Sequence, residues 1–120
     1  MVIALVVLLL GVARPHPPPA YVSVGSAHVP LAISSWCWGS RCGAPIAASR
    51  RNVRARRGST VRVVLAFEPT QVQVSVAGRR QPVSTRNDEL SWRATRSGGI
   101  TINAVSTSGF VIYVGRLIVR

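Results

Sequence analysis

Both cysteines of the chain and two of its three tryptophans lie in one short stretch, SSWCWGSRC, at residues 34–42. Cys37 and Cys42 enclose four residues. A thioredoxin-type redox motif needs a shorter Cys-x-x-Cys spacing and a helix N-terminus to stabilise the thiolate, and no following helix is evident. Structural zinc needs four ligands, and only His16 and His28 could join the pair. The remaining interpretation is an intradomain disulfide, which would stabilise so short a loop by about 2 to 3 kcal/mol.

The two tryptophans of this stretch, Trp36 and Trp38, share one parity in an extended chain, opposite to Cys37. The first interpretation places both rings on the core face of a strand. The alternative is an aromatic platform that contacts a sugar ring or a peptide, because tryptophan combines a large apolar area with a polar N–H. The sequence leaves both interpretations open.

Positive charge is the second chemical feature of the sequence. Arginine accounts for all 15 basic residues, only three residues are acidic, and the formal net charge is +12. A field of this strength attracts anionic lipids, polysaccharides and nucleic acids at moderate salt. The arginines are concentrated in the segment RRNVRARR and just after it; we call this set the arginine stripe, and it comprises Arg50, Arg51, Arg54, Arg56, Arg57 and Arg62.

The arginine stripe allows two interpretations. Arg54 and Arg56 alternate with Val53 and Ala55, so they are predicted to lie on the solvent face of a strand, with Arg62 nearby across the Gly58 turn. Charged side chains on an edge strand discourage pairing between molecules, which would be a structural role. The same guanidinium groups could instead bind phosphate, sulfate or carboxylate groups.

Little in the sequence points to catalysis. The acidic residues are Glu68, Asp88 and Glu89, and the two adjacent ones would point apart in an extended chain. His28 has no obvious nucleophile or orienting partner, and no nucleophile elbow, phosphate loop or zinc-protease motif is present. We therefore predict a protein that is not an enzyme and needs no cofactor or metal. Sequence-specific binding of nucleic acid is not expected either, because no recognition helix or RNP-type motif is found.

The N-terminal residues predict export. The apolar run from Val2 to Ala13 would span about 18 Å as a helix, which fits a secretory signal better than a full membrane span of about 30 Å. We assign residues 1–13 to a signal peptide, cleaved after Ala13, or to a short membrane anchor; a buried strand is the alternative. Residues 14–20 contain four prolines and are predicted to form a stiff linker.

Residues 21–120 carry short alternating segments separated by turn residues, and we assign them to one β-sandwich domain. Apolar residues with period-2 spacing are predicted to face inward. The central ones are Val53, Ala55, Val61, Val63, Leu65, Phe67, Val72, Val74 and Val76. Trp92 is predicted to join the core. The polar residues 79–89 are predicted to be a mobile connection.

The closing segment, residues 97–120, is predicted to be a long hairpin that turns at Ser108 and Gly109. Apolar residues change phase within its second strand, and a bulge at Gly115 would reconcile the two halves. The residues expected to share a face are Ile100, Ile102 and Ala104 in the first strand, then Phe110, Ile112 and Val114 before the bulge, and Leu117 and Val119 after it.

These segments amount to about seven short strands without a crossover helix. The expected fold is all-β: an antiparallel immunoglobulin-like sandwich, preceded by the N-terminal hydrophobic segment. A small barrel is the alternative.

The order of motifs resembles a family of small, mostly uncharacterised extracytoplasmic prokaryotic β-rich proteins with a Tyr-Cys-Trp segment and a second cysteine shortly after it. Trp36-Cys37-Trp38 and Cys42 match that part, residues 53–69 resemble the family's second part, and residues 96–119 match its closing Gly-x-Tyr hairpin. The chain departs from the pattern at three positions: Trp36 replaces the tyrosine, Gly43 replaces an aspartate, and Ile100 replaces an aromatic residue. The resemblance implies a β-rich fold and an extracytoplasmic location, and no established activity.

Together these features predict a non-catalytic binding or structural module at the cell envelope, either secreted or tethered by residues 1–13. Its partner would be an envelope component, with an anionic polymer or surface as the candidate ligand of the arginine stripe. Membrane contact is expected only through the N-terminal segment. The alternatives from other classes are a polyanion-binding protein and a subunit that assembles by pairing exposed strand edges.

Overall fold

A computed structural model describes residues 16–47 and 52–120 of the chain. These residues form twelve strands and no helix. The strands are β1 (Tyr21–Val24), β2 (Ala27–Pro30), β3 (Ala32–Trp38), β4 (Arg41–Gly43), β5 (Val53–Ala55), β6 (Thr60–Val64), β7 (Gln71–Val76), β8 (Arg79–Arg80), β9 (Ser84–Arg86), β10 (Glu89–Arg93), β11 (Gly98–Ser106) and β12 (Gly109–Val119).

The strands make two sheets. The first sheet has the order β2-β1-β6-β10-β9, and the second has the order β4-β3-β12-β11-β7-β8. Strand β5 adds to the second sheet by pairing with the end of β12, in the one parallel pairing among the described strands. Every other pairing is antiparallel, so the prediction of an antiparallel all-β fold is confirmed at this level.

One hydrophobic core lies between the sheets. Val61, Val63 and Leu65 of the β6 region have no exposed surface. They belong to the same buried cluster as Ile100 and Ile102 of β11, as period-2 spacing requires of strands with one buried face. Trp92 is 4% exposed and belongs to this cluster, as predicted. The molecule is therefore sandwich-like, with the core enclosed by a sheet on each side.

Two of the strands beyond the predicted number lie in the polar connection of residues 79–89, which is itself structured. Strand β8 pairs with β7, and β9 pairs with β10. These strands are only two and three residues long, and they carry no inward apolar alternation. Residues 79–89 are therefore not one continuous loop, because cross-strand pairing holds these short polar segments at the sheet edges; the predicted mobility stays a prediction.

Along the whole length of strand β12, the same alternate positions face the core. Val111, Tyr113 and Leu117 are buried, and the pairing with β11 continues without a shift through Ile100 opposite Gly115. The predicted bulge at Gly115 was wrong. A side chain at this position would overlap Leu31, so Gly115 makes room for a neighbouring core residue.

The irregularity lies in β3 instead. The register with β12 shifts between Ile112 and Tyr113, which pair with Ser35 and Ile33 and leave Ser34 as the extra residue. A bulge of this kind resets the alternation of the bulged strand. Ile33 and Trp36 are therefore both buried although three positions separate them.

The described part of the predicted linker is attached to the domain. Pro17 is buried and Ala20 has no exposed surface. The Leu31 amide donates a hydrogen bond to the Ala20 carbonyl at 2.9 Å, and the Tyr113 hydroxyl donates one to the Pro18 carbonyl at 2.6 Å. The predicted signal peptide or anchor, residues 1–13, lies outside the described residues. Within the described ranges, no helix has the length and apolar character needed to cross a membrane.

Candidate functional site

The two cysteines form a disulfide bond, as predicted. Cys37 on β3 and Cys42 on β4 are direct cross-strand partners, with their Cα atoms 3.9 Å apart. The turn between them brings Gly39 into a left-handed conformation with φ of 63° and closes a short hairpin. Because both sulfurs are bonded to each other, the hairpin is a covalently closed element at the edge of the second sheet.

Trp36 is a core residue. Its side chain is 6% exposed, and its indole N–H donates to the Ala44 carbonyl at 2.9 Å. Gly43 is its cross-strand partner, and a Cβ atom at that position would overlap the indole ring. The bare glycine backbone therefore provides the surface on which the Trp36 ring lies.

Trp38 is half-buried and packs edge-on against Phe67, with ring centroids 5.1 Å apart. Phe67 belongs to the loop after β6, so this contact connects the disulfide hairpin with the first sheet. Neither Trp36 nor Trp38 is fully exposed, so the stretch SSWCWGSRC offers no free aromatic platform of two rings.

The arginine stripe is divided between two places. Arg54 on β5 and Arg56 just after it are exposed, and they line a small cleft together with Arg120. Arg57 is also exposed, and its guanidinium donates to the Thr95 carbonyl at 2.8 Å. Arg50 and Arg51 lie outside the described residues, so their part of the stripe stays a prediction.

Arg62 belongs to the other sheet. It lies on the outer face of β6, and its guanidinium is 3.6 Å from the Glu89 carboxylate of β10. Both side chains are well exposed, so this ion pair contributes little to stability. Arg54 and Arg62 belong to different sheets, because the chain passes from the second sheet into the first at the Gly58 turn, and the two arginines line separate clefts.

A second basic region, absent from the sequence predictions, surrounds Arg62. Two adjoining clefts follow β10 and share Ser84 and Ser91 in their walls; we call them together the β10 groove. The first cleft is lined by Arg62, Arg86 and Glu89, and the second by Thr60, Gln81, Trp92, Arg93 and neighbouring residues. The sequence signal for this groove was weak, because it depends on the pairing of β9 with β10 rather than on a local motif.

His28 has a closer hydroxyl neighbour than the sequence indicated. Its Nδ1 lies 2.9 Å from the Ser23 hydroxyl, and its ring stacks on Tyr21 at a centroid distance of 4.7 Å. A serine nucleophile also needs a group that orients the histidine and donors that stabilise an oxyanion. Within the described residues, no carboxylate hydrogen-bonds this histidine. The Ser23–His28 pair is exposed on the first sheet.

Burial has one clear effect on titration. Tyr113 has no exposed surface, and desolvation of the charged form raises the pKa of its phenol above the ordinary range.

In the described ranges, no three histidine, cysteine or acidic side chains gather as metal ligands would. The charged side chains at the surface are mostly arginines. Arg96 is half-buried, and every other described arginine is exposed. Comparisons with known protein families, with curated proteins and with solved structures found no match for this chain.

Proposed function

We propose that this chain is a non-catalytic, extracytoplasmic binding domain whose arginine-rich surface binds an anionic polymer of the cell envelope. The observation that carries the proposal is the excess of exposed arginine over acidic partners. Among the described residues, Arg62 and Glu89 form the one ion pair within 4 Å, while the formal net charge is +12. Exposed guanidinium groups without carboxylate partners are available to carboxylate, sulfate or phosphate groups of a ligand.

Two features support the location. A disulfide is compatible with an oxidising compartment outside the cytoplasm, where such bonds persist. The apolar residues 1–13 have the composition of a signal peptide or short anchor, and we propose that they export the domain or tether it to the membrane. A domain placed there would meet anionic polysaccharides and lipid headgroups.

The proposal extends to an immunoglobulin-like arrangement of the sandwich. The chain passes repeatedly from one sheet to the other, from β5 to β6, from β6 to β7 and from β10 to β11. Such crossings between two antiparallel sheets are typical of Greek-key sandwiches, which serve in many binding domains. This analogy concerns architecture and does not identify a ligand.

The assembly alternative, pairing between exposed strand edges, is less well supported. The outer strands β4, β8 and β9 are only two or three residues long, and β2 ends at Pro30. The β8 edge consists of Arg79 and Arg80 alone. Short, charged or proline-ended edges are the features by which sheets avoid pairing with other copies.

Chromatography on immobilised heparin tests the proposed function, with an uncharged dextran matrix as the control. We expect the disulfide-intact protein to bind heparin, pass through dextran, and show a log association constant that falls linearly with log salt concentration, with a slope of about −3 or steeper. A protein that passes through heparin at low salt, or is retained with no dependence on salt, would contradict polyanion binding.

A further inference from the structure

Resting on the proposed function, we infer that the β10 groove is the binding site and that its ligand is an acidic polysaccharide. The groove crosses three neighbouring strands of the first sheet, β6, β10 and β9. Three arginines, several hydroxyl groups and one carboxylate share its walls. This combination selects a polymer that carries both anionic groups and sugar hydroxyls.

The strand register places these side chains side by side. Arg62, Ser91 and Ser84 are successive cross-strand partners and form one row on the outer face. Arg93 lies two positions along β10 from Ser91, and Glu89 lies two positions in the other direction, opposite Arg86. Residues two apart on a strand point to the same face, so all of these groups face the same solvent region.

The edge of β10 adds backbone groups to the groove. Strand β9 pairs only with residues 89–91, so the stretch of β10 beyond Ser91 has no strand on that side. On the other side, the Ala94 amide donates to the Ser59 carbonyl. Because antiparallel strands alternate the direction of their hydrogen bonds, the Arg93 N–H and C=O point towards the open side. They are a donor and an acceptor suited to sugar hydroxyls.

Trp92 lies at the base of the second cleft, and its side chain belongs to the core. It alternates with Ser91 and Arg93 along β10, is 4% exposed and packs in the buried cluster. The groups that face a ligand are therefore the outer-face side chains and the open edge of β10.

The groove favours a polysaccharide over a phosphate polymer. A phosphodiester or polyphosphate chain presents a negative charge at every unit, and the Glu89 carboxylate would repel it from the first cleft. A sugar hydroxyl can donate to that same carboxylate, while the hydroxyls of Ser84 and Ser91 bind its oxygens. From Glu89 to Thr95 the groove covers about 20 Å at roughly 3.3 Å per residue, enough for several sugar units.

Calorimetric titration with an alternating uronic-acid oligosaccharide, a hyaluronan octasaccharide, tests the assignment. We expect the double variant Arg86→Ser/Arg93→Ser to bind it roughly tenfold to a hundredfold more weakly than wild type, since two charge-assisted hydrogen-bonding groups are lost. The matched control Arg54→Ser/Arg56→Ser removes the same charge from the cleft beside Arg120 and should reduce affinity less than threefold. All four arginines are exposed, so neither variant should unfold the domain.

The outcomes separate the inference from the proposed function. If wild type binds heparin but the control variant loses as much affinity for the octasaccharide as the groove variant, the site assignment is overturned and polyanion binding stands. Binding to polyphosphate or oligodeoxythymidylate without binding to the octasaccharide would overturn the ligand class. If wild type binds none of these polymers, the proposed function itself fails.

Backbone amide resonances give a second readout. On adding the octasaccharide, we expect the amides of Ser84, Ser91 and Arg93 to shift, because these residues line the groove, while the amides around Arg54 and Arg56 stay in place. A titration that shifts amides around Arg54 and Arg56 and leaves Ser84, Ser91 and Arg93 unchanged would place the polymer elsewhere and overturn the inference.

Discussion

Tyr113 connects the N-terminal segment with the middle of the second sheet. Among the described residues it is the largest fully buried side chain, and its hydroxyl donates to the Pro18 carbonyl at 2.6 Å. A buried hydroxyl needs a hydrogen-bond partner, and the Pro18 carbonyl accepts from this one. Pro17, Pro18 and Pro19 have no backbone N–H, so this segment can offer only carbonyl acceptors. Together with the hydrogen bond from the Leu31 amide to the Ala20 carbonyl, this contact attaches residues 18–20 to the domain.

The buried phenol predicts a loss of stability at alkaline pH. In the unfolded chain Tyr113 ionises near its ordinary pKa of 10.0, whereas in the folded protein it keeps its proton to higher pH. The stabilisation that the buried, protonated phenol gives is therefore complete below pH 10. Above pH 10 the free energy of unfolding falls by roughly 1.4 kcal/mol per pH unit. Urea unfolding between pH 8 and 11 measures this slope.

The control for this prediction is Tyr113→Phe. It should cost about 1 kcal/mol at neutral pH, because the Pro18 carbonyl loses its donor, and it should flatten the decline above pH 10. If the free energy of unfolding falls equally steeply above pH 10 in wild type and variant, Tyr113 does not cause the loss of stability at alkaline pH.

Trp36 and Gly43 show how far residue-level reasoning could reach. The sequence identified both as departures from the resembled pattern, but nothing in it indicated that they are cross-strand partners. The structure makes the two departures interdependent, since the Trp36 ring occupies the space that a side chain at residue 43 would need. Pair relations across strands depend on register, which spacing along the chain does not give.

At the scale of elements, alternation predicted the inward faces of β5, β6, β7 and β11 because each has one polar face. It failed in β12, where Phe110, Ile112 and Val114 on the outer face are also apolar and half-buried. With apolar residues at both parities, periodicity cannot distinguish the two faces. The bulge at Ser34 was equally hidden, because the extra residue appears only in the pairing with β12.

The β10 groove was not predictable for a related reason. Its residues come from segments that lie far apart in sequence, and residues 79–89 looked like a polar loop. The pairing of β9 with β10 places Arg86 opposite Glu89, and Glu89 is in turn the ion-pair partner of Arg62. The arginine stripe, in contrast, is evident in the sequence as a local cluster of arginines, but its described members are divided between the two sheets.

The disulfide hairpin of β3 and β4 is predicted to act as a local brace for the second sheet. Replacing both Cys37 and Cys42 by alanine should lower the free energy of unfolding by about 2 kcal/mol, the chain-entropy value for a loop this short. Urea denaturation followed by near-ultraviolet circular dichroism should show the loss together with a weaker signal from the Trp36 environment.

Reduction of the wild-type protein is the matched control for the double variant, because it breaks the same bond without changing the packing of either residue. The two losses should agree within about 1 kcal/mol, the usual uncertainty of such comparisons. Unchanged stability in both cases would mean that the strand pairing alone, through Trp36 and Gly43, holds the hairpin.

At the scale of the whole molecule, the same charge that would attract a polymer works against the fold. A formal net charge of +12 on 120 residues creates self-repulsion in the compact state. Within the described ranges, arginines lie on strands of both sheets, so unfolding would relieve repulsion across the whole surface. Salt shortens the Debye length to about 8 Å at physiological ionic strength and should reduce this cost.

We therefore expect the melting temperature to rise with ionic strength, by about 4 °C or more between 10 mM and 500 mM NaCl, which corresponds to roughly 1 kcal/mol for a domain of this size. The variant Arg79→Gln/Arg80→Gln, which removes two exposed charges from the β8 edge, should melt higher at low salt and respond less to added salt. Because salt weakens polymer binding and strengthens the fold, the two measurements should move in opposite directions across one salt series. A melting temperature that stays constant or falls over this range would show that self-repulsion is not a significant term in the stability of the fold.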